Sequence, residues 1–283
     1  MSLVSSKELL YKAQKEKYGI GAFNVENMEM AQAVVEAAKE KNSPVIIQTT
    51  PSTIKYGSVS LFYSMIKSLA DEVDVEIALH LDHGDSYELA QEVTEKGYTS
   101  VMIDGSSLNF EENIELTKKT VEMCHLHSVP VEAELGKVGG KEDGVVASDD
   151  SPYTDPDQAK EFVEKTGVDF LAVAIGTSHG IYKGEPRLDL NRLSEIREKV
   201  SVPLVLHGTS GVPDDTVKEC IKRGICKINY ATDLRVAYTN AVKNYLDTHD
   251  NVIDPKKFNK EAREAVKQAV MHKMDVVMST NRG

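Results

Sequence analysis

The chain has 283 residues, 41% hydrophobic and 28% charged, with a formal charge of −12. That length suits one large α/β domain or two ordinary ones, with enough apolar material for a core. The negative charge argues against nucleic acid or an anionic membrane as partner, and no apolar run nears the ~18 residues of a membrane helix.

Short apolar or β-branched runs recur along the chain and predict strands at 20–25, 44–49, 76–83, 100–105, 129–135, 170–175, 203–208 and 226–231. Between them the spacing is helical, as in Ala31, Val34, Val35 and Ala38, or Ile114, Thr117, Val121 and Cys124. Gly97, Gly167 and Gly224 each stand where a helix would close before the next strand. Near-continuous apolar strands alternating with helices predict a parallel sheet covered by helices, and eight such units predict a single-domain (β/α)8 TIM barrel. The chain beyond about residue 250 reads as a C-terminal helical extension. An open doubly wound sheet is the alternative architecture. Residues 136–154, polar and containing Gly139, Gly140 and Gly144, read as a long irregular loop and a candidate mobile lid. The opening residues carry no basic segment followed by an apolar one, and Cys124, Cys220 and Cys226 have no Cys-x-x-Cys spacing. A cytoplasmic protein with reduced thiols is expected.

In such a barrel the reacting groups lie at the carboxyl ends of the strands. Those ends carry Asn24, Thr50, Asp82 with His83, Asp104, Glu134, His207 and Asn229, and His179 follows its strand by one short turn. Three imidazoles converging on one rim, with one coordination position left open, are the pattern of a catalytic zinc. Asp104 and Glu134 would orient those rings or serve as alternative ligands. His80, inside its strand, reads as a buried hydrogen-bonded residue. His125 and His127 fall at the opposite face of the barrel, and His249 and His272 among solvated helical residues. Two glycine corners, Gly176-Thr-Ser-His-Gly180 and Gly208-Thr-Ser-Gly211, join the segment from Asn229 to Asp233 that leads into a helix. Their backbone N–H groups, with the hydroxyls of Ser210 and Thr232, could cradle a phosphate, although a tight turn explains Gly-Thr-Ser-Gly equally well.

Taken in order, His80-Leu-Asp-His-Gly84, Val131-Glu-Ala-Glu-Leu-Gly136, Gly139-Gly-Lys-Glu-Asp-Gly144, His179-Gly180 and Leu206-His-Gly-Thr-Ser-Gly211 resemble the class II, zinc-dependent fructose- and tagatose-bisphosphate aldolases over essentially the whole chain. The resemblance implies a zinc ion on His83, His179 and His207, with Asp104 and Glu134 near a second metal position. Asp82 would move the proton of the aldehyde-side oxygen, and Glu142 the proton at the dihydroxyacetone phosphate carbon. Gly180, Gly208, Thr209, Ser210, Asn229, Tyr230, Ala231 and Thr232 would hold the dihydroxyacetone phosphate half, with Asn24 and Thr50 also facing the substrate. A monovalent cation near that phosphate, a homodimer or homotetramer, and in some members a non-catalytic companion subunit are further implied properties.

Ala231 and the run Ala172-Val-Ala-Ile-Gly-Thr177 look more like the tagatose group than the fructose group, which differ in configuration at C4. Three rival readings stay open at this point. They are a Schiff-base aldolase built on Lys227, a non-catalytic barrel subunit, and a related aldolase acting on another aldehyde.

Overall fold

The computed structural model describes residues 3–142, 145–147, 153–182 and 184–283, and for 141, 142 and 145–147 the backbone alone. Helix α1 (Ser6–Glu16) is followed by β1 (Ile20–Asn24), α2 (Met28–Lys41), β2 (Val45–Thr49), α3 (Pro51–Tyr56), α4 (Val59–Asp71), β3 (Ile77–Gly84), α5 (Tyr87–Lys96), β4 (Ser100–Ile103), α6 (Phe110–Leu126) and β5 (Val131–Leu135). A hairpin of β6 (Gly139–Glu142) and β7 (Val145–Ala147) precedes α7 (Pro156–Thr166), β8 (Phe170–Val173), the short β9 (Ser178–His179), α8 (Leu190–Lys199), β10 (Leu204–Leu206), α9 (Asp214–Lys222), β11 (Ile225–Tyr230), α10 (Thr232–Thr248) and α11 (Pro255–Val276). Eight of the strands close into a parallel barrel in the order β1-β11-β10-β8-β5-β4-β3-β2. The architecture is the (β/α)8 barrel, and all eight predicted strands overlap barrel strands to within two residues at either end.

The strands are buried on both faces because helices cover the outside and side chains fill the inside, so they read as apolar runs rather than alternating ones. Except at α9 and α10, helices start where polar N-cap side chains take up their free N–H groups. Asn27, Ser58, Ser86, Asp155 and Asp254 cap α2, α4, α5, α7 and α11, and Asn109 forms a capping box with Glu112 at α6. Gly97 and Gly167 close α5 and α7 in the left-handed conformation, while Gly224 lies one residue beyond Arg223, the C-cap of α9.

One end of the barrel is plugged. Leu9, Leu10 and Ala13 of α1 pack with Tyr18, Ile20, Ala22, Ile46, Ala78, Phe170, Ala172, Val205 and Cys226, leaving the opposite rim as the open end. Residues 139–142 and 145–147, expected to be irregular, instead form strands. β6 pairs antiparallel with β7 and parallel with β9, through Gly140↔His179. Among the described residues no helix is long and apolar enough to cross a membrane.

Candidate active site

Asp82 and His83 are neighbours in β3, and in a regular strand they would face opposite sides of the sheet. Here the β3–β4 register shifts between Leu81 and Gly84, and His83 adopts φ +49. Both side chains therefore turn to the same rim, at a cost of about 1–3 kcal/mol for a left-handed non-glycine residue. Asp82 is fully buried and accepts hydrogen bonds from Asn24 Nδ2 (2.8 Å), Gln48 Nε2 (3.1 Å) and Asn229 Nδ2 (3.0 Å). Gln48 also donates to Asn24 Oδ1 at 2.8 Å, which fixes the amides around the carboxylate.

Three imidazoles meet beside it. His83, His179 and His207 bring their nitrogen atoms within 4.8 Å of one another, and His83, Asp104 and Glu134 form a second such group. His83 Nδ1 lies 2.8 Å from Asp104 Oδ2, and His207 Nε2 lies 2.8 Å from Glu132 Oε1. Burial opposes ionisation of both carboxyls. At Asp104 His83 and Ser106 together outweigh it, and at Glu132 Lys227, His207 and His80 together do, so both are held well below the usual carboxylate range. An ionised carboxylate only accepts, so the ring nitrogen facing each one carries the proton. His207 is itself kept neutral, because burial lowers its pKa. Its remaining nitrogen, Nδ1, then points at His83 Nε2 only 2.9 Å away. That approach suits either a proton on His83 Nε2 donated to His207 or a metal ion drawing both nitrogens toward itself. The donor set fits a divalent metal held by three imidazoles, two of them oriented by carboxylates.

His179 reaches the site on β9, where Gly140 packs against it. A Cβ on Gly140 would stand 2.2 Å from the His179 carbonyl oxygen, and its φ is +89. Gly208 (φ +63) packs against the same segment, with a Cβ meeting Ser178 backbone atoms at 2.8–2.9 Å. Tyr182 latches the two turns together, accepting from Ser178 N at 2.7 Å and donating to the Gly208 carbonyl at 2.8 Å.

The space around the histidines has two lobes. A narrow one of about 20 Å³ is walled by Asn24, His179, Gly180, Gly208, Thr209, Ser210, Asn229, Ala231 and Thr232. The N-terminus of α10 opens beside it, with Asp233 N–H donating to Ser210 Oγ at 3.3 Å, a setting that favours an anion. Asn229 Oδ1 is buried there with no hydrogen-bond partner among the described residues, so an incoming hydroxyl has an acceptor waiting. A wide lobe of about 470 Å³ shares His179 with it and is lined also by His83, Asp104, Glu134, Ser52, Lys55, Ser106, Ser107 and Lys137.

The model of the fructose-bisphosphate aldolase class-II family matches residues 4–282. The chain belongs to that family. Among solved structures, this aldolase is similar to the YdjI aldolase of Escherichia coli K12, at 40% identity over 99% of both chains with a TM-score of 0.89. It is also similar to a protein assigned as a fructose-1,6-bisphosphate aldolase from Coccidioides immitis, at 33% identity over 97% of this chain and 96% of that one, TM-score 0.90. The fructose-bisphosphate aldolase of Campylobacter jejuni is 25% identical over 100% and 97% of the two chains, TM-score 0.82.

Of the residues singled out in the sequence, the aldolase brings Asn24, Asp82, His83, Asp104, Glu134, His179, Gly180, His207, Gly208, Thr209, Ser210, Asn229, Ala231 and Thr232 to this rim. Two stand differently. Thr50 is the N-cap of α3, its hydroxyl shared with Ser52 and Thr53. Tyr230 turns its ring outward, stacked on Phe23 at 5.7 Å, because it alternates with the inward Asn229, so its side chain does not line either lobe. The Glu142 side chain lies outside the described residues, as do 143, 144 and 148–152 of the expected lid. His80 is buried and bonded to Ser100, His125 pairs with Asp169, His249 is the exposed C-cap of α10, and His272 lies exposed on α11. Sequence reading passed over Gln48, Glu132 and Lys55. Glu132 carried a signal, since it stands two residues before Glu134 in a fully buried strand and must share its face.

Proposed function

We propose that the protein catalyses zinc-dependent, reversible cleavage of a ketose 1,6-bisphosphate to dihydroxyacetone phosphate and glyceraldehyde 3-phosphate, with tagatose 1,6-bisphosphate the preferred sugar. The observation that carries this reading is the convergence of His83, His179 and His207 beside the buried Asp82, between a narrow lobe at the N-terminus of α10 and a wide lobe edged by two lysines. His83, His179 and His207 would hold the metal, and Asp104 and Glu134 would offer a second position. When bound, zinc supplies a Lewis acid that stabilises negative charge on the substrate's carbonyl side.

The chain's own groups do the rest. Gly180, Gly208, Thr209, Ser210, Ala231 and Thr232, with backbone N–H groups and hydroxyls, would take the C1 phosphate. Asn24 and Asn229 hold Asp82 in place at 2.8 and 3.0 Å while Asn229 Oδ1 accepts a substrate hydroxyl. Asp82 takes the proton of the C4 hydroxyl as the C3–C4 bond breaks, and Glu142 returns a proton to C3. Lys55 and Lys137 would face the C6 phosphate in the wide lobe. The preference for tagatose rests on Ala231 and residues 172–177 and on nothing else in the site. The buried free thiols of Cys124, Cys220 and Cys226 suit the cytoplasm.

Lys227 does not favour Schiff-base chemistry, because its ammonium is buried and paired with Glu132 at 2.9 Å rather than open to a carbonyl. Side-by-side cleavage of tagatose and fructose 1,6-bisphosphates tests the sugar. A higher kcat/KM for tagatose is expected. A higher value for fructose would reverse the preference, and no cleavage of either would turn the reading toward another aldehyde.

A further inference from the structure

Below the three histidines, the barrel axis holds a buried charged layer that proton transfer at Asp82 and Glu142 leaves unused. Glu132, fully buried on β5, meets His207 Nε2 with one oxygen at 2.8 Å and Lys227 Nζ with the other at 2.9 Å. Lys227, 1% exposed on β11, also lies 3.4 Å from His80 Nε2. An ammonium only donates, so His80 Nε2 accepts and the ring's proton sits on Nδ1, 2.7 Å from Ser100 Oγ. Ser100 in turn accepts from Ser6 Oγ of α1 at 2.7 Å. The layer is thus tied from the plug helix up to His207.

An unpaired ion in such a place costs several kcal/mol, so each member is tolerated only because the other is present. We propose that Glu132 and Lys227 are positioning residues that set the metal affinity of the site. Lys227 anchors the carboxylate of Glu132. That carboxylate fixes the proton of His207 on Nε2 and aims the Nδ1 lone pair at the space shared with His83 and His179. The charge also strengthens the hydrogen bond and makes His207 a better ligand. Lys227 hydrogen-bonds to none of the three histidines, yet on this account the metal is held through it. The inference rests on reading the histidines as a metal site.

The test is zinc affinity, by competition with a chromophoric chelator, in the wild type, Glu132→Gln, Lys227→Met and the double variant, with Tm measured alongside. Each single variant leaves one buried charge unpaired, and is expected to lose both Tm and affinity. The double variant removes both charges, so its Tm is expected to recover while its zinc affinity stays roughly 10- to 100-fold below wild type. Recovered Tm together with wild-type affinity would overturn the proposal and leave the pair a purely structural role. Should the variants fail to fold, nitrogen NMR of the histidine rings in the metal-free wild type decides. His207 is expected as the Nε2–H tautomer, and an Nδ1–H His207 overturns the proposal. A wild-type chain that takes up no zinc at all would instead remove the metal reading on which it rests.

Discussion

Adjacent residues rarely serve one site from a strand, and the left-handed turn at His83 is what lets Asp82 and His83 do so. Their roles separate under substitution. Asp82→Asn keeps shape and most hydrogen-bonding neighbours but cannot take a proton, so cleavage is expected to fall on the order of 10²-fold or more with zinc retained. Near-normal turnover would remove Asp82 from the chemistry. His207→Ala is expected to lose zinc altogether, and a variant holding one zinc per chain would contradict its assignment. Lys55→Ala and Lys137→Ala are each expected to raise KM for the bisphosphate by up to about fivefold with kcat little changed, as exposed charge pairs do. An unchanged KM would take the lysines out of substrate binding. At this scale the sequence was most readable where a polar residue ended an apolar run, as at Asn24, His83, His207 and Asn229. It was less so one step deeper, where Gln48, Glu132 and Lys227 lie within their strands and look like interruptions of the core.

Among the elements, the barrel strands were legible because burial on both faces leaves an apolar run of five or so residues in each. The β6–β7 hairpin was not, since its pairing is made by backbone and Gly139-Gly140 offers no side-chain alternation to read. That hairpin bears directly on His179. Gly140→Ala would push a methyl group into the His179 carbonyl, and is expected to lower zinc affinity and activity more than Tm. Equal metal affinity in that variant would show that β6 does not position His179. The plug helix tests the other end. Leu10 is fully buried, so Leu10→Ala is expected to cost about 2–5 kcal/mol in urea unfolding. A smaller loss would mean that α1 closes the barrel without supporting it.

The whole molecule should respond to alkali through groups far from the site. Burial pushes the thiols of Cys124 and Cys226 up to about 11 and the phenols of Tyr18 and Tyr98 up to about 12. In each the folded value is raised, so the neutral form is favoured by folding. That contribution is complete below the unfolded values, near 9 for the thiols and 10 for the phenols, and is lost as pH climbs through the folded ones. Tm is therefore expected to fall between about pH 9 and 12, and a Tm constant across that window would contradict the burial of these groups.

On the proposed mechanism, three imidazoles holding a metal let this barrel cleave a sugar at Asp82. The most direct test strips the wild-type chain of metal with a chelator, then follows cleavage of tagatose and fructose 1,6-bisphosphates as zinc is added back. Activity is expected to vanish on stripping and to return in proportion to zinc up to one ion per chain on the three histidines. Undiminished cleavage by the stripped protein would contradict the account.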